Sequence, residues 1–180
     1  GLFRIDVSNN KLTTFPSSLK YATELWRMTA IFNKLTEFPI MTQKVQLGGI
    51  DLSYNEITTL PSNIAFLLPM LTWIDIDHNG IEKLPESFGQ LTYLNWLSLE
   101  HNRISTLPSS ICSLSKLVGV TLSNNAIADL PSCMEQTKSL QHFDIRNNII
   151  EEINTPTNTN FKTEVILILK IIFLKKSVRI

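Results

Sequence analysis

Two of the three histidines, His78 and His101, stand 23 residues apart, and each follows an acid directly, Asp77 and Glu100. Imidazole and carboxylate at matched spacing could ligate a transition metal, or could pass a proton as base and acid. Either chemistry needs a third group held in fixed geometry and a pocket that excludes water. No such third ligand is at hand. The two cysteines, Cys112 and Cys133, form no Cys-x-x-Cys pair and have no histidine at ligand spacing. A Gly-rich phosphate loop, a Gly-x-Ser-x-Gly elbow, a His-Glu-x-x-His pair and a kinase signature are also missing from the sequence. Residue types and spacing therefore predict no enzyme, no cofactor and no metal. What recurs instead is aromatic rings among charges: Trp73 and Trp96, also 23 residues apart, beside Asp51, Asp75, Asp77 and Glu100.

The spacing of 23 belongs to the whole chain. A leucine opens each unit at Leu2, Leu25, Leu47, Leu71, Leu94, Leu117 and Leu140. In register behind it run apolar columns at the fourth place (Ile5, Met28, Ile50, Ile74, Leu97, Val120, Phe143) and the sixth (Val7, Ala30, Leu52, Ile76, Leu99, Leu122, Ile145). The ninth place is asparagine in all seven units, from Asn10 to Asn148. A buried amide left without partners costs about 1 to 3 kcal/mol, so a full column predicts a ladder of amides bonded to backbone. Alternation through places three to seven is the period-two pattern of a strand buried on one face. Proline follows the fourteenth place in six units, ending the extended segment and turning the chain. A second apolar stripe follows, at Leu19, Ile64, Phe88, Ile111 and Met134 and three residues later, which fits a short helix or 3-10 turn. One rung cannot offset its own ordering entropy, but stacked rungs share their interfaces.

Composition bounds the partners. Sixteen basic and sixteen acidic side chains cancel, which leaves no field to condense on nucleic acid or on an anionic membrane. Asn-x-Ser/Thr sequons and an N-terminal signal pattern are both missing from the sequence, which predicts a cytoplasmic location and two reduced cysteines, each a small buried thiol. Gly1 rather than Met opens the chain, so a fragment of a longer protein is expected.

Function must sit at the places that packing leaves free. Neighbouring strands lie about 4.8 Å apart, so side chains of one column touch across rungs. The third place brings Arg27, Trp73, Trp96 and His142 onto the concave face, and Trp73 with Trp96 is expected to form one aromatic ledge. The fifth and seventh places add Asp51, Asp75, Asp77, Glu100 and Arg146, and the eighth adds Phe32, Tyr54, His78 and His101 along the rim. Aromatics flanked by charge are the composition of binding hot spots. The partner-binding set read from sequence is thus Arg27, Asp51, Tyr54, Trp73, Asp75, Asp77, His78, Trp96, Glu100, His101, His142 and Arg146.

Stretches such as Leu94 to Pro108 (LNWLSLEHNRISTLP) and Leu117 to Pro131 (LVGVTLSNNAIADLP) resemble the intracellular leucine-rich repeats of Ras-associated scaffold proteins, among them the Ras suppressor, scribble and the plant intracellular Ras-group proteins. The resemblance implies an α/β leucine-rich-repeat solenoid, a horseshoe with a parallel concave β-sheet and short helical or 3-10 convex segments. It also implies binding of a folded signalling protein, such as a small GTPase or a phosphatase, on the concave face, without catalysis by the repeats. Residues 1–154 are read as seven repeats. Residues 155–180, with Ile171 where asparagine is expected and apolar Val165, Leu167 and Leu169 at free places, are read as a degenerate eighth repeat or a cap. That run is too short and too interrupted by Lys170 to span a membrane as a helix. Two alternatives stand beside the scaffold: the recognition segment of a larger signalling enzyme (kinase, Roco-type GTPase or phosphatase), and an extracellular receptor fragment, against which the missing sequons and cysteine caps both speak.

Overall fold

The computed structural model describes residues 1–151 apart from 40, 42, 137 and 138; the expected eighth repeat or cap lies outside the described residues. Each unit contributes one strand of three residues: β1 (Arg4–Asp6), β2 (Arg27–Thr29), β3 (Gly49–Asp51), β4 (Trp73–Asp75), β5 (Trp96–Ser98), β6 (Gly119–Thr121) and β7 (His142–Asp144). They pair in parallel, in chain order, in a single sheet. The register follows the sequence columns: Ile5 lies opposite Met28, Ile50 opposite Ile74, and Val120 opposite Phe143.

Alternation decides the two faces. Fourth- and sixth-place side chains of the central rungs, such as Ile50, Leu52, Ile74, Ile76, Leu97 and Leu99, are completely buried, while third-, fifth- and seventh-place side chains project onto the concave face. Behind the core the chain turns at proline. Pro16, Pro85 and Pro108 sit extended just before 3-10 segments at Ser17–Tyr21, Glu86–Gln90 and Ser109–Ser113. A fourth 3-10 segment covers Ser132–Gln136, and the third unit instead forms one turn of α-helix, α1 (Ile64–Leu67). Each presses one stripe residue inward: Leu19, Ile64, Phe88, Ile111 and Met134 are all buried. The solenoid with short convex segments is therefore the observed fold.

The asparagine column is a continuous ladder. Asn102 Nδ2 donates to the carbonyls of Leu99 and Glu100 in its own rung and of Ile76 in the rung before. Its Oδ1 accepts the Ile81 N–H at 2.9 Å. The same four-way pattern recurs at Asn33, Asn55, Asn79, Asn125 and Asn148. An amide is suited to the place because it donates and accepts at once.

The cysteines correct the expectation. Cys112 and Cys133 occupy the 3-10 segments of successive rungs, are only half-buried, and are joined in a disulfide with Cα atoms 5.9 Å apart. They stand at the nineteenth and seventeenth places of successive units, two places out of register. A turn of tight helix lets a two-place offset be absorbed, so the Cα spacing falls inside the range that a bridge requires.

Candidate functional site

The eighth place builds the rim. All seven residues there, Asn9, Phe32, Tyr54, His78, His101, Asn124 and Asn147, adopt positive φ between 51° and 57°. Left-handed backbone suits asparagine and is costly for a bulky side chain, so the repeat imposes it and the rings are compensated by stacking. Phe32 stacks on Tyr54 with centroids 4.2 Å apart, Tyr54 on His78 at 4.0 Å, and His78 on His101 at 4.1 Å. Amides continue the file: Asn124 lies 3.1 Å from His101 Nε2 and accepts from Asn147 at 3.0 Å. Burial, and then His101 alongside, holds the His78 imidazole below its ordinary value, against the charges of Glu100 and Asp75.

The tryptophans do not form one ledge. Trp73 and Trp96 are register partners in β4 and β5, yet their rings lean in opposite directions, each over a glycine. A Cβ on Gly49 would come within 2.9 Å of the Trp73 ring, and one on Gly119 would collide with the Trp96 ring. Trp73 thereby reaches across rung three to Arg27, whose guanidinium lies 5.4 Å from the ring centroid. Trp96 reaches across rung six to stack on His142 at 5.4 Å. Trp26 follows the same rule over Gly48 and stacks on Phe3. Sequence columns place side chains by Cβ, and the glycine gaps decide where large rings fall. Gly49 and Gly119 at the third place were the available signal.

Carboxylates occupy the middle of the face and are tied by hydroxyls. Ser53 Oγ donates to Asp51 and Asp75 at 2.7 and 2.6 Å. Asp77 accepts from Ser98 Oγ at 2.8 Å and from the Glu100 N–H at 2.6 Å, and Ser98 continues to Thr121 at 2.6 Å. These bridging hydroxyls were not singled out from the sequence, because serine at a free place resembles any solvent-facing residue. At the far end Arg146 closes an ion pair of 2.6 Å with Asp144, whose carboxyl it holds below the usual range. No group of three or more His, Cys, Asp or Glu side chains among the described residues is arranged to hold a metal ion. Of the twelve residues read from sequence, Asp51, Trp73, Asp75, Asp77, Trp96 and Glu100 come together at the centre of the face. Tyr54, His78 and His101 form its rim, and Arg27, His142 and Arg146 flank it.

Burial, the Asp75 charge and the Glu100 charge push the Asp77 carboxyl from the usual 3.8 up to about 7, against the hydrogen bonds from Ser98 and Glu100. Burial and then Asp75 raise Asp51 in the same direction, against its bonds from Ser53. A folded acid that keeps its proton longer than the unfolded chain loses stability as pH rises between the two values. Asp77 thus favours the folded state fully below pH 3.8 and loses that advantage as pH rises through about 7. Asp77→Asn keeps the shape without the charge. We expect it to raise stability at neutral pH by roughly 1 kcal/mol, a value discounted for the partial exposure of the site. Urea titrations at acid and neutral pH check this: the gain must be confined to the neutral arm.

Residues 67–161, more than half of the chain, match the family model described as leucine-rich repeat region. No curated protein sequence matches the chain. Among solved structures, a leucine-rich-repeat protein of Leptospira interrogans superposes with a TM-score of 0.76 and 30% identity, over 82% of this chain and 38% of its own. An internalin (inlF) from Listeria monocytogenes superposes with a TM-score of 0.70 and 26% identity, over 85% of this chain and 44% of its own. The plant peptide hormone receptor RGFR1, solved in complex with RGF2, gives 0.71 and 31%, over 82% of this chain and 24% of its own. The chain thus spans less than half the length of these solved proteins. Repeats of this kind generally mediate protein–protein interaction. The 23-residue rungs, the asparagine ladder, the single parallel sheet and the family match agree, and the chain belongs to the leucine-rich-repeat family.

Proposed function

We propose that the concave face is a docking surface for a folded protein partner and that these repeats perform no catalysis themselves. The observation that carries the reading is the centre of β3 to β5. There Trp73 and Trp96 lie half-exposed on glycine seats beside four carboxylates, at places the repeat does not need for packing. Large rings with restricted rotamers, backed by rigid strands, lose little entropy on binding.

The finer reading is a scaffold or adaptor in the cytoplasm, with a small GTPase or a phosphatase as partner. It rests on the resemblance of the rungs to those of Ras-associated scaffolds. A second reading has a specific support: the chain spans less than half of each of the three solved proteins named above, as the recognition segment of a larger signalling protein would. Both readings use the same face.

The test is capture of partners from the source cell by the wild-type chain and by Trp73→Ala plus Trp96→Ala. Loss of two hot-spot aromatics is expected to weaken specific capture by at least about thirtyfold. Retention of every specific partner at unchanged affinity overturns the proposal.

A further inference from the structure

The opposed lean of the two indoles leaves a cleft over the β4–β5 pair. Trp73 and Trp96 wall it at the third place, turned away from each other toward Gly49 and Gly119. Two residues further along the strands come Asp75 and Ser98, then Asp77 and Glu100. Parallel strands rise about 3.3 Å per residue, so the first acids lie beyond the rings by the reach of one extended lysine or arginine side chain.

The carboxylates of this cleft take part in no ion pair among the described residues. The ion pairs among the described residues join the N-terminus to Glu24, Arg4 to Asp6 and Arg146 to Asp144. None touches Asp51, Asp75, Asp77 or Glu100. The fold already holds one instance of the interaction, since the Arg27 guanidinium lies against the Trp73 ring.

We propose that this cleft receives a lysine or arginine side chain from an extended basic segment of the partner. Its methylene stem lies between Trp73 and Trp96, and its charge sits on Asp75, Asp77 and Glu100. The inference rests on the concave face being the docking surface and adds the chemistry of the occupant. Arg27 at one end lies on the Trp73 ring and Arg146 at the other is paired with Asp144, so the carboxylates without an ion pair stand in the middle, where the segment carries its positive charge.

The probes are end-blocked tetraarginine and end-blocked tetraglutamate, titrated into the folded chain at about pH 8 and low salt, where carboxylates are ionised and little screened. Tetraarginine is expected to shift the indole N–H resonances of Trp73 and Trp96 and leave that of Trp26 in place, while tetraglutamate shifts none. Asp75→Asn with Asp77→Asn and Glu100→Gln is expected to weaken tetraarginine binding by about tenfold or more. A matched variant removes the same charge elsewhere: Glu82→Gln, Glu86→Gln and Asp129→Asn, all exposed and outside the strands. It is expected to retain binding. Equal weakening by both triple variants means attraction by net charge alone and overturns the inference, as does binding that leaves both indoles unmoved. If tetraarginine fails while Trp73→Ala plus Trp96→Ala still loses its captured partner, the docking face stands and only the basic chemistry falls. If that variant keeps its partner, both fall.

Discussion

Asn102→Ala is expected to lower the stability of the fold by about 3 kcal/mol, whereas Asn10→Ala costs less than about 1 kcal/mol, although both residues occupy the same place in the repeat. Asn102 is 9% exposed and makes four hydrogen bonds to backbone. Its removal leaves the Ile81 N–H without its acceptor and takes a donor from the Ile76 carbonyl, in an interior that water does not reach. Asn10, in the first rung, is exposed and donates only to the Val7 and Ser8 carbonyls, which solvent can serve instead. Urea unfolding of both variants checks the contrast. Equal losses would mean that the ladder acts through the turn it closes rather than through inter-rung bonds. Asn102→Asp sharpens the point: its oxygen could still accept from Ile81, but a buried carboxylate would face three carbonyls, so its loss should exceed that of alanine.

That contrast also marks what a sequence column can and cannot tell. Columns found the strands, their register and the amide ladder because these depend on backbone, and backbone repeats every 23 residues. Ile50 opposite Ile74 and Asn102 between two rungs follow directly from the spacing. The concave face was legible only as a list of neighbours. Trp73 and Trp96 share a register pair and still diverge, because an indole spans more than one strand spacing and falls into whichever adjacent third place holds glycine. The rim was read as exposed aromatics, and the left-handed backbone beneath it stayed hidden, although Asn9, Asn124 and Asn147 in that column are residues that favour it. Ser53 and Ser98 gained meaning only when their hydroxyls were seen to tie Asp51 to Asp75 and to hold Asp77. The pairing of Cys112 with Cys133 was illegible for a related reason. Column logic applies to strands, and the 3-10 segments of the convex side do not keep it.

The disulfide carries the second large effect. It closes a loop across 21 positions, two short of a rung, between Ser109–Ser113 and Ser132–Gln136. Restricting an unfolded loop of that length stabilises the folded chain by about 3 kcal/mol. In a solenoid each rung depends on its neighbours alone, so the loss on reduction is expected to be local. With Cys112→Ser plus Cys133→Ser, or under reductant, hydrogen exchange should accelerate from Gly119 to Ile150, while the ladder from Asn33 to Asn79 keeps its protection. Uniform acceleration along the chain would instead mean one cooperative unit, and no change would mean that the bridge adds nothing to the stacked core. The same bond bears on where the protein works. A reducing cytosol holds such a pair as thiols, so the cytoplasmic scaffold proposed above would function with Cys112 and Cys133 open and with its last two described rungs at their lower stability. Alkylation of intact cells before lysis distinguishes the cases: labelled cysteines are expected of a cytoplasmic chain, and a protected pair would move the proposal to an oxidising compartment.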